Sequence, residues 1–321
     1  MLPDGPEHAG EPPGTGPLPH LLSFDVEEYF QVEAARHCVS RDEWLHRPRR
    51  LAGPVERILE LLYRHRTRAT FFVLGWVARH EPEIVRRIAD AGHEIASHGM
   101  SHQMLTRLTR EELGCELSDS RKLLEDLAGR PVQGFRAPTF SILHGNAGAL
   151  DALAEAGYAY DSSIFPVRHD RYGVPDAPCR PHWAVGPGGG TLLELPLLTL
   201  RALGQNWPAA GGGYLRLLPV RVLARALQQN EARGLGGMMY LHPWEFDPHQ
   251  PVLAMGRAGR WRHRVGLART HKKLDWLLGR HRFADVRSSL DRLGKVAEGH
   301  SYVYGGGRGA VEASTARPAE S

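Results

Sequence analysis

The chain has 321 residues, of which 42% are hydrophobic and 24% charged, values close to the globular average that speak against a disordered or membrane-embedded class. Its 40 basic and 36 acidic residues leave a formal charge of +4, and the basic residues are scattered, so nucleic acid is a weak partner. Cys38, Cys115 and Cys179 form no CxxC pair, which leaves neither a disulfide framework nor a zinc ribbon and fits a reducing compartment.

The N-terminus lacks a basic region followed by an apolar one, and no apolar run reaches the ~18 residues of a membrane span. A cytoplasmic protein without stable membrane insertion is therefore expected; its oligomeric state is not encoded legibly. Residues 1–19 and 305–321 are rich in Pro, Gly and small polar residues and read as disordered tails.

Between the tails, short apolar segments alternate with amphipathic helical ones. The first strand is expected at Leu21–Val26, then a long polar excursion and a helix over Val55–Arg64, with Ile58, Leu59 and Leu62 on one face. A strand over Ala69–Leu74 precedes a helix opened by Glu81-Pro82-Glu83 and ended by Gly92. Next come a strand at His93–Ser97, a helix at Thr109–Ala128, a strand at Val132–Arg136, a helix at Ala147–Ala156 and a short strand at Tyr158–Asp161. Strands at Leu192–Pro196 and Gly237–Leu241 flank a helix at Val220–Asn230. About seven βα units suggest a parallel α/β barrel, although a doubly wound open sheet fits the same alternation.

Acidic, His and Arg residues recur where these strands end. Asp25, Glu27 and Glu28 follow the first, His98 and His102 the third, Arg136 the fourth, Asp161 the fifth and His242 the last. In a parallel barrel these ends share one face. The four-residue spacing of His98 and His102 suits one metal if the segment makes a helical turn, but alone it is weak in a chain with 18 histidines. Asp25 and Glu27 share one side of an extended segment, so one can bind metal while the other takes a proton. Arg136 can hold a carboxylate, and His242, just before Pro243, can donate a proton near neutral pH.

The set resembles, in order, the five signatures of the NodB-type polysaccharide deacetylases, carbohydrate esterase family 4. They read Ser23-Phe24-Asp25-Val26-Glu27, His98 to His102, Arg136-Ala137-Pro138-Thr139-Phe140, Asp161-Ser162-Ser163 and Leu241-His242-Pro243. Glu194 before Leu195-Pro196, and Gly211-Gly212-Gly213-Tyr214, resemble features of the subfamily associated with exosortase and exopolysaccharide gene clusters. The resemblance implies a distorted (β/α)7 barrel in a single domain over residues 20–300, with a subfamily extension from about 245. It further implies a divalent metal, zinc first with cobalt, manganese or iron(II) as alternatives. By resemblance Asp25 is the base, Arg136 the residue holding it, His98 and His102 metal ligands, His242 the acid and Asp161 the residue orienting it. Most members carry a second aspartate where this chain has Val26, so Glu27 is the expected third ligand and Glu28 the fallback.

The implied reaction removes N-acetyl groups from a polysaccharide or oligosaccharide, releasing acetate, in exopolysaccharide biosynthesis. A backbone N–H near Phe140 is the expected oxyanion donor. Tyr29, Phe30, Phe140, Trp207 and Trp244 are candidates for stacking on sugar rings, and the insertion from Tyr29 to Pro54 for one wall of a groove. The rival readings are a cyclic-amide amidohydrolase on the same fold and a catalytically disabled carbohydrate-binding protein.

Overall fold

The structure is a computed structural model and describes residues 16–169 and 171–306. The expected disordered tails lie outside those residues except for 16–19 and 305–306, where Leu18 is buried in the core.

The first strand, β1 (His20–Val26), is buried along its whole length. Leu22, Phe24 and Val26 pack into the hydrophobic core, with Phe24 stacked on Phe71 at 5.0 Å. Ser23 and Asp25 project to the other side, as the two-residue period of a strand requires. Parallel strands covered on both faces carry such near-continuous apolar runs.

Helix α1 (Ala52–Arg64) turns Val55, Ile58, Leu59, Leu61 and Leu62 inward. The chain then runs through β2 (Thr70–Val73), α2 (Gly75–His80), α3 (Pro82–Asp90) and β3 (Glu94–Ser97). Helix α4 (Arg110–Ala128) opens on a reciprocal cap, Glu112 N donating to Thr109 Oγ1 and Thr109 N to the Glu112 carboxylate, and ends on left-handed Gly129. Strand β4 (Gly134–Phe135), helix α5 (Gly148–Glu155) and β5 (Tyr160–Asp161) follow, then β6 (His182–Val185), β7 (Thr191–Glu194) and the hairpin of β8 (Thr199–Ala202) and β9 (Gln205–Pro208). Helices α6 (Gly213–Leu217) and α7 (Val220–Glu231) lead to β10 (Met238–Leu241). After α8 (Arg257–Arg264) and α9 (Leu267–Leu278) come β11 (Phe283–Ala284), α10 (Leu290–Ala297) and β12 (Ser301–Val303).

Among the described residues the main sheet runs β10-β1-β2-β3-β4-β5-β7-β6-β12, with β11 also on β1. Pairing is parallel from β10 through β5 to β7, and β6 alone is antiparallel to β7. The residues after β7 reach the free edge of β10 through the bridges Leu197 to Met238 and Gly211 to Tyr240. That closes a ring of β10, β1, β2, β3, β4, β5 and β7, a distorted (β/α)7 barrel, and decides against the open sheet. Gly211 is required at this seam: its φ is +130°, and a Cβ there would sit 2.0 Å from the Tyr240 carbonyl oxygen.

Candidate active site

The carboxyl ends of the ring strands carry the polar side chains, and three linked groups meet there. The first is Asp25 at the end of β1. Its Oδ1 accepts from Arg136 Nη1 at 2.6 Å. Arg136 is itself fully buried, donating also to Ser23 Oγ at 2.8 Å, the Ser162 carbonyl at 3.0 Å and Ser162 Oγ at 3.0 Å, with its guanidinium 4.0 Å over the Phe72 ring. A buried ion pair is tolerable only when its remaining donors are satisfied in this way.

The second group is Glu27, His98 and His102, whose ligand atoms lie within 4.8 Å of one another. His98 Nδ1 hydrogen-bonds the Arg136 carbonyl at 2.8 Å. Because a carbonyl only accepts, Nδ1 carries the proton and the Nε2 lone pair is free. Burial, and His102 beside it, hold the His98 imidazole down at about 4 despite Asp25 and Glu27, so it is neutral. Burial would raise Glu27, but His102, His242 and His98 outweigh it and hold its carboxyl at about 2. Glu27 Oε2 lies against His102 Nε2 and has no other polar partner among the described residues. Two imidazoles and one ionised, otherwise unpartnered carboxylate oxygen fit a divalent metal. The histidines do not meet through a helical turn: the segment bends through two left-handed residues, Gly99 at φ +74° and His102 at φ +54°.

Glu28 faces elsewhere. Its Oε1 accepts from Arg50 N at 2.5 Å and Leu51 N at 3.3 Å, placing it at the start of α1, and burial pushes its carboxyl up to about 8. Of the two carboxylates left open by the sequence, Glu27 is the one beside the histidines.

The third group is His242, immediately after β10. Its Nε2 lies 3.6 Å from Glu27 Oε1 and 4.0 Å from Asp25 Oδ2. The expectation that Asp161 orients it is corrected. His242 Nδ1 is 2.7 Å from Glu245 Oε1, which also accepts from the His242 backbone N at 3.0 Å. Glu245 Oε2 in turn accepts from Arg216 Nε at 2.6 Å, and Arg216 Nη1 donates to the carbonyls of Arg262, His263 and Val265. Burial would lower His242, but Glu245, with Glu27 and Asp25, raises it to about 9, so the imidazole is protonated at neutral pH. Asp161 instead accepts from Ser163 Oγ at 2.6 Å and Ser163 N at 3.1 Å and lies against Glu194. Burial and the neighbouring Asp161 push Glu194 well above the carboxylate range, so this pair shares a proton.

Glu245 is legible in hindsight, because a Glu three residues after His242 has capping-box spacing. Arg216 is not, since 29 residues separate it from Glu245.

Several expected sugar contacts are corrected. Tyr29, at 1% exposure, is sealed in the aromatic packing behind the site, and Phe30, equally buried, offers only its edge of that packing to the cleft described below. Trp244 is buried too, its Nε1 donating to Glu27 Oε1 at 3.3 Å and its ring stacked with His242 and His263. It is a wall of the site instead of an open platform. Phe140 packs among Phe165, Tyr172 and Tyr240, and its N–H is committed to the Ala137 carbonyl at 3.0 Å, leaving it no proton for an oxyanion. Trp207 is half-exposed on the separate β8–β9 hairpin, with its Nε1 on the Ala202 carbonyl. The insertion after β1 does form a wall, since residues from Phe30 to Trp44 line a cleft of about 350 Å³ that ends on His102.

Known proteins resemble this chain in two sequence segments and in fold. A family model described as polysaccharide deacetylase matches residues 52–160, and one described as a domain of unknown function, DUF3473, matches residues 162–291. The chain is 38% identical over 87 residues to a peptidoglycan-N-acetylglucosamine deacetylase of Bacillus cereus, covering 27% of this chain and 32% of that protein. It is 40% identical over 68 residues to a chitooligosaccharide deacetylase of Rhizobium leguminosarum bv. trifolii, covering 21% and 32%. The matches thus span about a third of these relatives' length. A crystal structure from Mycobacterium smegmatis, described as a "putative polysaccharide deacetylase", shares the fold with a TM-score of 0.57 and 20% identity over 88% of this chain and 94% of that one. The first matched segment holds His98, His102 and Arg136, the second holds Glu194, Arg216, His242 and Glu245, and one barrel spans both. Residues 52–160 thus match the polysaccharide deacetylase family, and the barrel is the fold of the Mycobacterium smegmatis structure.

Proposed function

We propose that the protein hydrolyses N-acetyl groups on an N-acetylhexosamine-containing glycan, with a divalent metal, zinc first, held by Glu27, His98 and His102. One observation carries the reading: a carboxylate held by arginine, an imidazole held protonated and a two-histidine, one-carboxylate cluster face a common space at the strand ends. An exopolysaccharide setting is part of the proposal and is supported by the sequence features around Glu194 and Gly211.

When bound, the metal would polarise the acetamide carbonyl and acidify water. The protein's own groups divide the proton transfers. Asp25 Oδ1 is occupied by Arg136, which leaves Oδ2, the oxygen facing His242, to take the proton of the attacking water. His242 is bonded to Glu245 through Nδ1, so Nε2 presents its proton to the departing amine. Attack forms the bond from water oxygen to the acetyl carbon, the carbon–nitrogen bond breaks, and acetate and a free sugar amine result. Arg136 fixes the orientation of the base, and Trp244 stacks on the ring of the acid.

The test is metal content together with acetate release from an N-acetylglucosamine oligomer. Asp25→Asn is expected to lower turnover by roughly 10²- to 10⁴-fold with metal retained, whereas His98→Ala loses both. A wild-type protein with neither metal nor acetate release overturns the function, and an Asp25→Asn protein with full activity overturns the role of Asp25.

A further inference from the structure

The cleft beside the site has a charge pattern that acetyl hydrolysis does not need. Its floor is Phe30, Val39 and Trp44, and its rim carries Arg36, Arg41 and Arg107 against the single acid Glu33. Arg107 engages both oxygens of Glu33, at 2.8 and 3.2 Å, and Arg36 reaches the same carboxylate only at 3.9 Å. Arg41 pairs with no carboxylate among the described residues. Partial desolvation, together with Arg36 and Arg107, lowers the Arg41 guanidinium from its ordinary value even with Glu116 and Glu33 nearby. Glu116 does not line the cleft, and its Oε2 accepts from the backbone N–H groups of Met100 and Ser101 at 2.7 and 3.0 Å. Gln31, 3% exposed and also lining the cleft, has an Nε2 with no partner while its Oε1 accepts from Glu28 N. Three guanidiniums and one carboxylate in the cleft lining, with an unused amide donor, make a receptor for an anion that arrives with the ligand.

We propose that the glycan bound here is anionic: a carboxylate-bearing sugar lies beside the N-acetylated one, and its carboxylate is received by Arg41 with Arg36 and Arg107. The reacting sugar in this statement rests on the deacetylase reading above; the charge preference rests on the cleft alone. A planar, bidentate guanidinium matches a carboxylate, and a ligand charge delivered close to His102 would place the neighbouring acetamide at the site.

The experiment compares two tetrasaccharides on the metal-loaded protein by calorimetry and by acetate release. One is a neutral N-acetylglucosamine oligomer; the other alternates N-acetylglucosamine with glucuronic acid. The anionic oligomer is expected to bind about tenfold tighter or more at low salt, and to lose that margin as salt is raised. In Arg41→Gln, and further in Arg36→Gln/Arg41→Gln, the ratio of the two affinities is expected to fall toward one; both residues are exposed, so the fold should survive, and circular dichroism checks it. Equal binding of the two oligomers, binding of neither, or a ratio unmoved in the folded variants overturns the inference. Acetate release without a charge preference would sink this inference and spare the function, whereas a charge preference without acetate release would do the reverse.

Discussion

At the scale of single residues, the site depends on which oxygen or nitrogen of each side chain is already occupied. Arg136 takes Oδ1 of Asp25, the Arg136 carbonyl takes Nδ1 of His98, and Glu245 takes Nδ1 of His242. Each bond leaves the opposite atom of the same side chain for chemistry. A second two-histidine, one-carboxylate group, His20, Glu231 and His281, shows the contrast. There Gly237 N donates to His20 Nδ1, so His20 Nε2 bears the proton and bonds Glu231, which suits a hydrogen-bond cluster and not a metal. Glu245→Gln removes the charge that holds His242 protonated while keeping the side chain's shape. It is expected to lower kcat about tenfold to hundredfold with little change in metal content, as steady-state acetate release and metal analysis would show. The positions of Asp25, Glu27, His98, His102, Arg136 and His242 were legible because each follows an apolar strand. The partner of His242 was not, because a histidine's orienting acid is chosen by packing, and here the near acid three residues on displaced the distant Asp161.

At the scale of elements, the strands with continuous apolar runs were legible to within a few residues, and so were helices with a clear apolar stripe. The C-terminal helices α9 and α10 were not assigned although each buries an apolar face, and other elements escaped for want of such a pattern. Strand β6 alternates between buried and half-buried, and α8, with the sequence RAGRWRHR, buries only His263, so neither carries the periodicity that sequence reading relies on. The seam between β10 and Gly211 is the element-level weak point. Gly211→Ala forces a Cβ against the Tyr240 carbonyl at an unfavourable φ and is expected to cost on the order of 1–3 kcal/mol, read as a lowered Tm in thermal unfolding. Gly114 is the control: it is exposed within α4, and a Cβ added there would meet no atom within 4 Å, so Gly114→Ala is expected to raise stability by about 0.5–1 kcal/mol.

At the scale of the whole molecule, the buried carboxylates at the opposite ends of the strands set how stability follows pH. Glu94, at the start of β3, accepts from Thr70 Oγ1 at 2.6 Å, Tyr160 Oη at 2.9 Å and Arg287 N at 2.9 Å, tying β2, β3, β5 and the C-terminal segment together. Burial, aided by Asp285, nevertheless raises its carboxyl from 4.5 to about 7. The folded protein therefore holds this proton more tightly than the unfolded chain does. Its contribution to stability is complete below about 4.5 and is lost as pH rises through about 7. The loss is on the order of 3 kcal/mol. Glu94→Gln is expected to flatten that slope in denaturant unfolding measured across the same pH range.

The sequence by itself determined the alternation of strands and helices, the family resemblance and the strand-end positions of six site residues, since these follow from local periodicity and from side chains that abut apolar runs. The tertiary structure alone decided that the sheet closes through Leu197 and Gly211, that Glu27 and not Glu28 joins the histidines, that Glu245 and Arg216 hold His242, and that Tyr29 is sealed in the packing while Trp244 is a wall. These outcomes depend on contacts between residues far apart in the chain, where burial and the competition for each polar atom's partner are settled only once the barrel has closed.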